Sequence, residues 1–394
     1  MNTPHAEKLL DYMRAHEDSF IRFMKRLVEA ESPSSDPDQH ELVRSILVSE
    51  LRDLGFMVRE TGKAGGPRHV YARPENRLRG APMQLVIGHY DTVWPFGTVS
   101  RRPFSVDGNV VRGPGTFDMK GGLSQIIIAL RAMQDLDLSP LLTPVVFINA
   151  DEEIGSRTST RFIRMLARRA ERAFVLEPAM GEDGALKTER KGIGRFTITV
   201  FGKAAHAGLD PEGGASAILE LSHVIQNLFA LNDPDNGISV NVGTVDGGLQ
   251  ANVIAPNSKA VIDVRVPTAQ AGREIEESIH SLQASVPGVR LRIEGGIGRP
   301  SMESTPRNRA LWRKAQALGQ DLGLELEQAR AGGGSDGNTT SQFTATLDGL
   351  GPVGAGAHAE HEHLYIDKTL DRAALLALLL LSPPVMQATR EEPA

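Results

Sequence analysis

The sequence predicts an α/β protein with a largely parallel sheet and a smaller inserted α+β domain. Short apolar segments rich in branched residues occur at 83–88, 144–150 and 173–176, and such segments are typical of central strands. A helical stretch from Leu123 to Met133 lies between the first two segments, and strands that alternate with helices indicate a parallel sheet. Because ligands bind at the carboxyl ends of such strands, polar residues that follow them are candidate site residues.

The flanking segments complete the larger domain. Residues 6–30 and 38–54 repeat apolar side chains every three to four positions, which predicts amphipathic helices. After Arg299 the α/β pattern resumes with a helix at 307–320, a glycine-rich loop at 332–337 and a closing helix. The predicted larger domain therefore comprises residues 1–190 and 299–394.

The middle of the chain follows a different pattern. Strand-like segments at 196–201, 238–242, 259–266 and 289–293 are combined with helical segments at 213–229 and 274–282. The order is strand, helix, strand, strand, helix, strand, and the strands alternate apolar and polar residues. This order predicts a ferredoxin-like α+β domain with a one-sided sheet, inserted at residues 191–298.

The composition excludes several classes of protein. A chain of 394 residues is too long for one compact core and suggests two domains. The net charge of -6 argues against a nucleic-acid-binding protein, and the absence of cysteine excludes disulfides and thiolate metal sites. The first twenty residues show no secretion signal, and the apolar segment Ala373 to Leu381 is too short for a membrane span. We expect a cytoplasmic protein with a disordered tail at Arg390 to Ala394.

Histidines and acids follow the apolar segments. Taken alone, His89 could be a core histidine, Asp118 a helix cap, and Glu152 with Glu153 a charged loop. Together, two imidazoles and several carboxylates at strand ends match the ligands of a pair of divalent metal ions. The segments are 88–93 with His89 and Asp91, 115–122 with Asp118, 151–156 with Glu152 and Glu153, 176–178 with Glu177, and 356–362 with His358.

These segments resemble, in order, the co-catalytic zinc metallopeptidase family of glutamate carboxypeptidase, acetylornithine deacetylase and succinyl-diaminopimelate desuccinylase. The resemblance runs from about Glu41 to Asp367 and is strongest to the carboxypeptidase G type, with further support from 202–208, 298–300 and 332–338. It implies an enzyme whose larger domain is catalytic and whose inserted domain serves as a dimerisation or lid domain. It also implies two Zn²⁺ per subunit, for which Co²⁺ or Mn²⁺ could substitute.

The resemblance assigns a role to each residue of the predicted metal centre. Glu152 is the general base and acid, and Asp91 is the carboxylate partner of His89. Asp118 bridges the two metals and is expected to precede a cis peptide, and Glu177 binds one metal only. His358 fits the family spacing to a following glutamate, whereas His361 and His363 do not. The implied metal ligands are His89, Asp118, Glu153, Glu177 and His358.

Further residues are implied in substrate binding. His206 stabilises the oxyanion in the active site of the other subunit of a homodimer, and Asn252 and Arg299 hold the substrate carboxylate. Backbone donors at the pocket rim are expected from Gly333, Gly334 and Ser335. The junction at 188–192 is more basic than in the carboxypeptidase G type and leans toward the desuccinylase and deacetylase relatives. Arg190 is either an anion contact or a solvated hinge residue.

The predicted activity is hydrolysis of an amide whose amine side is an amino acid with a free carboxylate. The first choice is a carboxypeptidase that releases glutamate or a similar residue. The alternatives are an N-acyl amino acid deacylase or desuccinylase and a dipeptidase, and the expected partners are a small-molecule substrate and a second copy of the chain. A non-catalytic metal-retaining binding protein is disfavoured, because Glu152 and every ligand are present.

Overall fold

The computed structural model describes residues 5–62, 65–77 and 80–384, and they form two compact units. The second unit comprises Glu189–Glu303 and Ala331–Gly334, and the first comprises the described residues before and after these segments. The predicted insertion at 191–298 lies within Glu189–Glu303. The tail that we expected to be disordered lies outside the described residues.

The predicted helical segments are all found as helices, and three short helices at Thr98–Arg101, Thr160–Ala167 and Asp336–Thr340 were not predicted. The predicted helical segment 6–30 is divided at His16, whose φ of -111° and ψ of 15° interrupt the helix. Short 3₁₀ turns occur at Pro37–His40 and Pro211–Gly213, and an irregular turn at Thr116–Lys120. The α-helices are α1 (Ala6–Ala15), α2 (Glu17–Glu29), α3 (Glu41–Asp53), α4 (Thr98–Arg101), α5 (Gly121–Asp135), α6 (Thr160–Ala167), α7 (Ala217–Phe229), α8 (Ala269–His280), α9 (Pro306–Asp321), α10 (Asp336–Thr340) and α11 (Ile366–Leu381).

The strands include every predicted strand segment and several short strands besides. They are β1 (Phe56–Gly62), β2 (Arg68–Pro74), β3 (Met83–His89), β4 (Ser105–Asp107), β5 (Val110–Arg112), β6 (Thr143–Asn149), β7 (Ala170–Val175), β8 (Leu186–Arg190), β9 (Gly192–Phe201), β10 (Ser239–Gly247), β11 (Asn257–Val266), β12 (Arg290–Arg299), β13 (Gln328–Ala331), β14 (Ala345–Leu347), β15 (Gly354–Ala355) and β16 (His363–Tyr365).

A six-stranded sheet organises the first unit, in the order β1-β2-β6-β3-β7-β14. The pairs β6–β3, β3–β7 and β7–β14 are parallel, and β1 and β2 form an antiparallel edge. The register sets His89 beside Asn149 and Ile87 beside Val175. The carboxyl ends of β6, β3 and β7 therefore lie side by side, which brings the acids that follow them to one edge of the sheet.

The sheet of the first unit is buried on both faces. Val86, Val146 and Phe174 point to the cluster that includes α1, α2, α5 and α11. The alternate residues Leu85 and Phe147 point to a second cluster that includes residues of α6. Burial on both faces explains why these strands are continuously apolar. The predicted α/β class is confirmed.

The second unit has a four-stranded antiparallel sheet in the order β10-β11-β9-β12. Alternate residues of β9, including Phe196 and Ile198, are fully buried and pack with apolar residues of α7 and α8. The observed chain order of strands and helices is the predicted one, which confirms the smaller α+β domain. Among the described residues of both units, no helix combines the length and apolar character of a membrane-crossing segment.

Candidate metal centre

The three parallel strands position the side chains of the predicted metal centre, which are called the cluster below. β3 ends at His89, and Glu177 follows β7 by two residues; both are buried, with 1% and 8% exposure. β6 ends at Asn149, and Glu152 and Glu153 follow in the next turn. Because β3 is paired on one side with β6 and on the other with β7, these residues come together without any contribution from the second unit.

Asp118 lies between two imidazoles. Its Oδ1 is 3.3 Å from His89 Nε2, and its Oδ2 is 3.4 Å from His358 Nε2. His89 Nε2 is also 3.5 Å from Glu177 Oε1, and His358 Nε2 is 3.0 Å from Glu153 Oε2. The cluster therefore divides into two groups of one imidazole and one carboxylate, which share Asp118.

The donor set fits divalent cations. Asp118 Oδ1 and Glu153 Oε1 are buried and have no hydrogen-bond partner, although buried polar atoms are normally paired. Ligand atoms of His89, Asp118 and Glu153 lie within 4.8 Å of one another, and so do those of His89, Glu152 and Glu177. Cations at these positions would satisfy the unpaired oxygens. The second group shows that Glu152, predicted as the base, is also close enough to His89 and Glu177 to share a cation with them.

The electrostatics of the cluster favour positive charge. Burial, together with repulsion from Asp118 and Glu152, raises the pKa of Glu153 to about 7. The carboxylates of Asp118 and Glu153 raise the pKa of His358 to about 10. Burial disfavours the charged form of His89, yet Asp118 and Asp91 outweigh it and raise the pKa of that imidazole. The raised pKa values show that the cluster attracts positive charge, which bound cations would supply.

Asp91 holds both His89 and the turn of the glutamates. The Nδ1 of His89 donates to the main-chain oxygen of Asp91 at 2.9 Å, whereas the Asp91 carboxylate lies 3.5 Å away. This bond leaves Nε2 free to bind a cation. The Asp91 carboxylate accepts from the amides of Glu152 at 3.1 Å and Glu153 at 3.2 Å, and from Ser34 Oγ at 2.8 Å. The sequence predicted Asp91 as the partner of His89 but did not predict its hydrogen bonds to the amides of Glu152 and Glu153.

The loop of His358 is held by a small sheet in the order β15-β16-β5-β4. His358 has a φ of 61°. Its Nε2 contacts the carboxylates of Asp118 and Glu153, so His358 is the histidine that this loop contributes to the cluster. By contrast, His363 Nδ1 donates to the main-chain oxygen of His361. The expected cis peptide between Asp118 and Met119 is present.

Two buried acids near the cluster were not assigned from the sequence. Asp151 is fully buried and accepts from the Thr158 amide at 2.6 Å and Ser159 Oγ at 2.6 Å, so it anchors the turn that carries Glu152. Glu362 is 1% exposed, and its carboxylate accepts hydrogen bonds in the turn of Asp118. A signal existed for both, since each lies within four residues of a predicted ligand.

The second unit contains His206 and Asn252 on adjacent segments. The amide of Ala207 donates to the main-chain oxygen of Asn252 at 3.0 Å, and His206 forms a β-bridge with Val253. His206 Nδ1 accepts from the amides of Gly208 at 3.1 Å and Leu209 at 3.2 Å. Since Nδ1 is an acceptor, the proton of neutral His206 is on Nε2, which makes this atom a donor.

Other predicted substrate residues of the second unit lie near one another. Arg190 is 3% exposed and donates to the main-chain oxygen of Gly333 at 3.0 Å, so it is not a solvated hinge residue. Arg299 ends β12, half-buried. A Cβ at Gly334 would lie 2.7 Å from Ile193 Cδ1 and 3.4 Å from Arg299 Cδ. Gly334 therefore brings the backbone close to the side chains of Ile193 and Arg299.

Ser335 lies in the first unit and caps α10. Its amide donates to Asn338 Oδ1 at 2.8 Å, and its hydroxyl accepts from the Gly337 amide at 2.9 Å. The prediction of a backbone donor for substrate at Ser335 therefore needs correction, because this amide is already paired in a capping box.

Comparison with known proteins identifies the family. Residues 85–382 match the peptidase family M20/M25/M40, and the chain belongs to it. The chain is 28% identical over 353 residues to carboxypeptidase G2 of Pseudomonas sp. (strain RS-16), covering 88% of this chain and 84% of that protein. It is 29% identical over 268 residues to acetylornithine deacetylase of Salmonella typhimurium, covering 62% and 67%. The resemblance seen in the sequence is confirmed.

A solved structure shares the fold. The tripeptidase from Staphylococcus aureus superposes with a TM-score of 0.75 at 20% identity, covering 93% of this chain and 97% of that one. Together with the family match, the fold and the cluster define an enzyme, a metal-dependent hydrolase of the metallopeptidase and amidohydrolase type.

Proposed function

We propose that this enzyme binds two Zn²⁺ and hydrolyses the amide bond to a C-terminal amino acid with a free carboxylate. The observation that carries the proposal is Asp118, whose two carboxylate oxygens face two different imidazoles. One cation would be held by His89, Glu177 and Asp118 Oδ1. The other would be held by His358, Glu153 and Asp118 Oδ2. Co²⁺ or Mn²⁺ suits the same donors.

Glu152 is the proposed proton carrier. When bound, the cations supply a water molecule of lowered pKa and positive charge near the scissile carbonyl oxygen. Glu152 takes the proton of the attacking water and delivers it to the nitrogen of the leaving amine. The Asp91 carboxylate fixes this residue through its amide, and its neighbour Glu153 remains directed to His358.

The proposed substrate has a free carboxylate on its amine side. Arg299 and Asn252 are the proposed contacts of this carboxylate, because a guanidinium binds a carboxylate with two parallel hydrogen bonds and an amide adds a third. The main-chain groups of Gly333 and Gly334 are the proposed rim contacts, with Arg190 holding Gly333 in place. The similarity to carboxypeptidase G2 supports glutamate or a similar residue as the released amino acid.

A second candidate is an N-acyl amino acid deacylase or desuccinylase. The basic junction that contains Arg190 and Lys191 and the similarity to acetylornithine deacetylase favour it. A dipeptidase is chemically equivalent, because the same bond is cleaved next to a free carboxylate. These candidates differ in the acyl group that the enzyme accepts.

Release of the amine from a panel of N-acyl amino acids and dipeptides tests the proposal. The zinc-, cobalt- or manganese-loaded enzyme should release a free amino acid from at least one class of substrate. Each acid should be paired with its carboxamide, which the enzyme should cleave poorly. Failure to release amine from every substrate with all three metals would contradict the proposal.

Arg299→Ala is expected to reduce kcat/KM on the acid substrate by about 2–5 kcal/mol, because a buried carboxylate would lose its charged partner. The loss should nearly vanish on the matched carboxamide. Arg292→Ala, at an exposed position of the same strand, is the control and should leave kcat/KM unchanged. Equal losses on acid and amide would assign Arg299 a structural contribution instead.

We further propose a homodimer formed through the second unit. Helix α7 exposes Ile218, Leu219 and Phe229, with 48–50% of each accessible, and Leu249 after β10 is 71% exposed. β10 is an edge strand of its sheet, and on its outer side the amide and carbonyl of Val240 are paired with the side chain of Asn232. Exposed apolar residues beside a sheet edge are typical of a protein–protein interface.

His206→Ala is expected to lower kcat by about 10²–10³, the usual contribution of one oxyanion donor. The donor would be the Nε2–H that the two amides on Nδ1 enforce. His280→Ala, an exposed histidine of the same unit, is the control.

Mixed dimers test whether His206 acts across subunits. Mixing Glu152→Gln and His206→Ala subunits should restore part of the activity, since one site of the mixed dimer would be complete. Activity that stays at the level of the parent variants in a verified mixed dimer would place His206 in its own subunit's site or outside catalysis.

A further inference from the structure

Glu362 lies at the junction of two loops that carry metal-binding residues. It follows His358 by four residues, and its carboxylate reaches the turn that contains Asp118, 244 residues earlier in the chain. Glu362 Oε1 accepts from the amides of Phe117 at 2.9 Å and Asp118 at 3.0 Å. Oε2 accepts from the amide of Gly115 at 2.8 Å and from Trp94 Nε1 at 2.9 Å.

These four hydrogen bonds use the whole acceptor capacity of the carboxylate, which has about four lone-pair positions. Glu362 is therefore unavailable as a metal ligand or as a proton acceptor for the reaction. At 1% exposure its charge is stabilised by the donors of this turn, so the turn and the carboxylate depend on each other.

The hydrogen bond to the amide of Asp118 fixes the backbone that carries the shared carboxylate. The backbone of Asp118 determines how its two oxygens are presented to His89 and His358. On the other side, Glu362 is tied to the His358 loop by tight packing. A Cβ at Gly356 would lie 2.9 Å from the backbone nitrogen and Cα of Glu362, and the Glu362 amide donates to the Ala359 carbonyl.

We propose that Glu362 is a positioning residue that holds the Asp118 turn and the His358 loop in the register required for two cations to share Asp118. This proposal deepens the proposed di-metal function and rests on it. Trp94 is the second part of the arrangement, because its indole donates to Oε2 while its ring stacks against Arg102 at 4.3 Å.

Glu362→Gln tests the proposal by metal binding as well as by activity. The glutamine would direct its NH₂ group either at the amides of Phe117 and Asp118 or at the Gly115 amide and the Trp94 indole, so two of the four hydrogen bonds would lose their acceptor. We expect the zinc affinity, measured by competition with a chromophoric chelator, to fall about 10–100-fold, as is usual for partners of metal ligands. At saturating zinc, kcat should fall while KM stays within about twofold, since Glu362 does not contact the substrate.

A spectroscopic comparison separates positioning from general destabilisation. The visible absorption spectrum of the cobalt-loaded Glu362→Gln protein should differ from that of the parent, because the geometry at Asp118 would change. Glu362→Asp keeps the charge and should recover part of the zinc affinity. Glu360→Gln, at an exposed position of the same loop, is the matched control and should match the parent in all measurements.

The outcomes distinguish this inference from the proposed function. A parent protein that binds no zinc would contradict the proposed function itself. A parent that binds two zinc ions, with a folded Glu362→Gln protein of equal affinity and identical cobalt spectrum, would overturn the positioning contribution alone. If circular dichroism shows that Glu362→Gln does not fold, Trp94→Phe decides the question. It removes one donor while keeping a ring for Arg102, and should weaken zinc binding at least about threefold; parent-like affinity would overturn the inference.

Discussion

Glu152→Gln is expected to retain both metal ions and to lower kcat by about 10²–10⁴, the usual contribution of general acid–base catalysis. Glutamine has nearly the same shape as glutamate but cannot accept a proton. The turn should persist, because the Asp91 carboxylate holds it through the main-chain amides of Glu152 and Glu153 and not through the Glu152 side chain. The variant should therefore bind substrate with little change.

The neighbouring residue provides the contrast for this experiment. Glu153→Gln should lose metal as well as activity, because Glu153 Oε2 faces His358 and its Oε1 is buried without a partner. Metal content by elemental analysis and kcat from single-substrate kinetics should be measured on both variants. The alternative is that Glu152 itself binds a metal, since a carboxylate oxygen of Glu152 lies within 4.8 Å of ligand atoms of His89 and Glu177. Loss of metal in Glu152→Gln would assign Glu152 as a ligand and require another base.

Removal of the metals is expected to abolish turnover, and zinc or cobalt should restore it. Metal uptake should also release protons. In the metal-free protein the pKa of His358 is raised to about 10, and that of Glu153 to about 7. Below these values the groups are protonated and must lose their protons to bind a cation. The apparent metal affinity should therefore rise as the pH rises from 6 to 8.

Titration calorimetry measures this linkage directly. Zinc binding to the chelator-treated protein in two buffers of different ionisation enthalpy, at about pH 7.5, should show release of about one to two protons. His358→Ala, which removes a group whose pKa is raised to about 10, should release fewer protons and bind zinc more weakly. Full activity of metal-free protein would contradict the metal-dependent function, and binding without proton release would contradict the electrostatic account of the cluster.

The element order could be predicted from the chain because its signals are local. Strands β3, β6 and β7 are continuously apolar because both of their faces are buried. Strands β9 and β11 alternate because only one face is buried. The break at His16 was missed, because periodicity on both sides of it continues without a glycine or proline signal. The cis peptide at Asp118 was predicted through the family resemblance and not from its flanking residues.

The sequence by itself determined the class of fold, the presence of an inserted domain and the residue types available for metal binding. Hydrophobic periodicity and motif order are properties of short segments, and they survive without knowledge of long-range contacts. Only the tertiary structure decided which atoms meet. His358 faces Asp118, and Asp91 contacts His89 through its carbonyl and the glutamate turn through its carboxylate. Glu362 accepts from the amides of Gly115, Phe117 and Asp118. These contacts join segments up to 247 residues apart, and a hydrogen-bond partner at that distance depends on how the loops pack rather than on any local pattern.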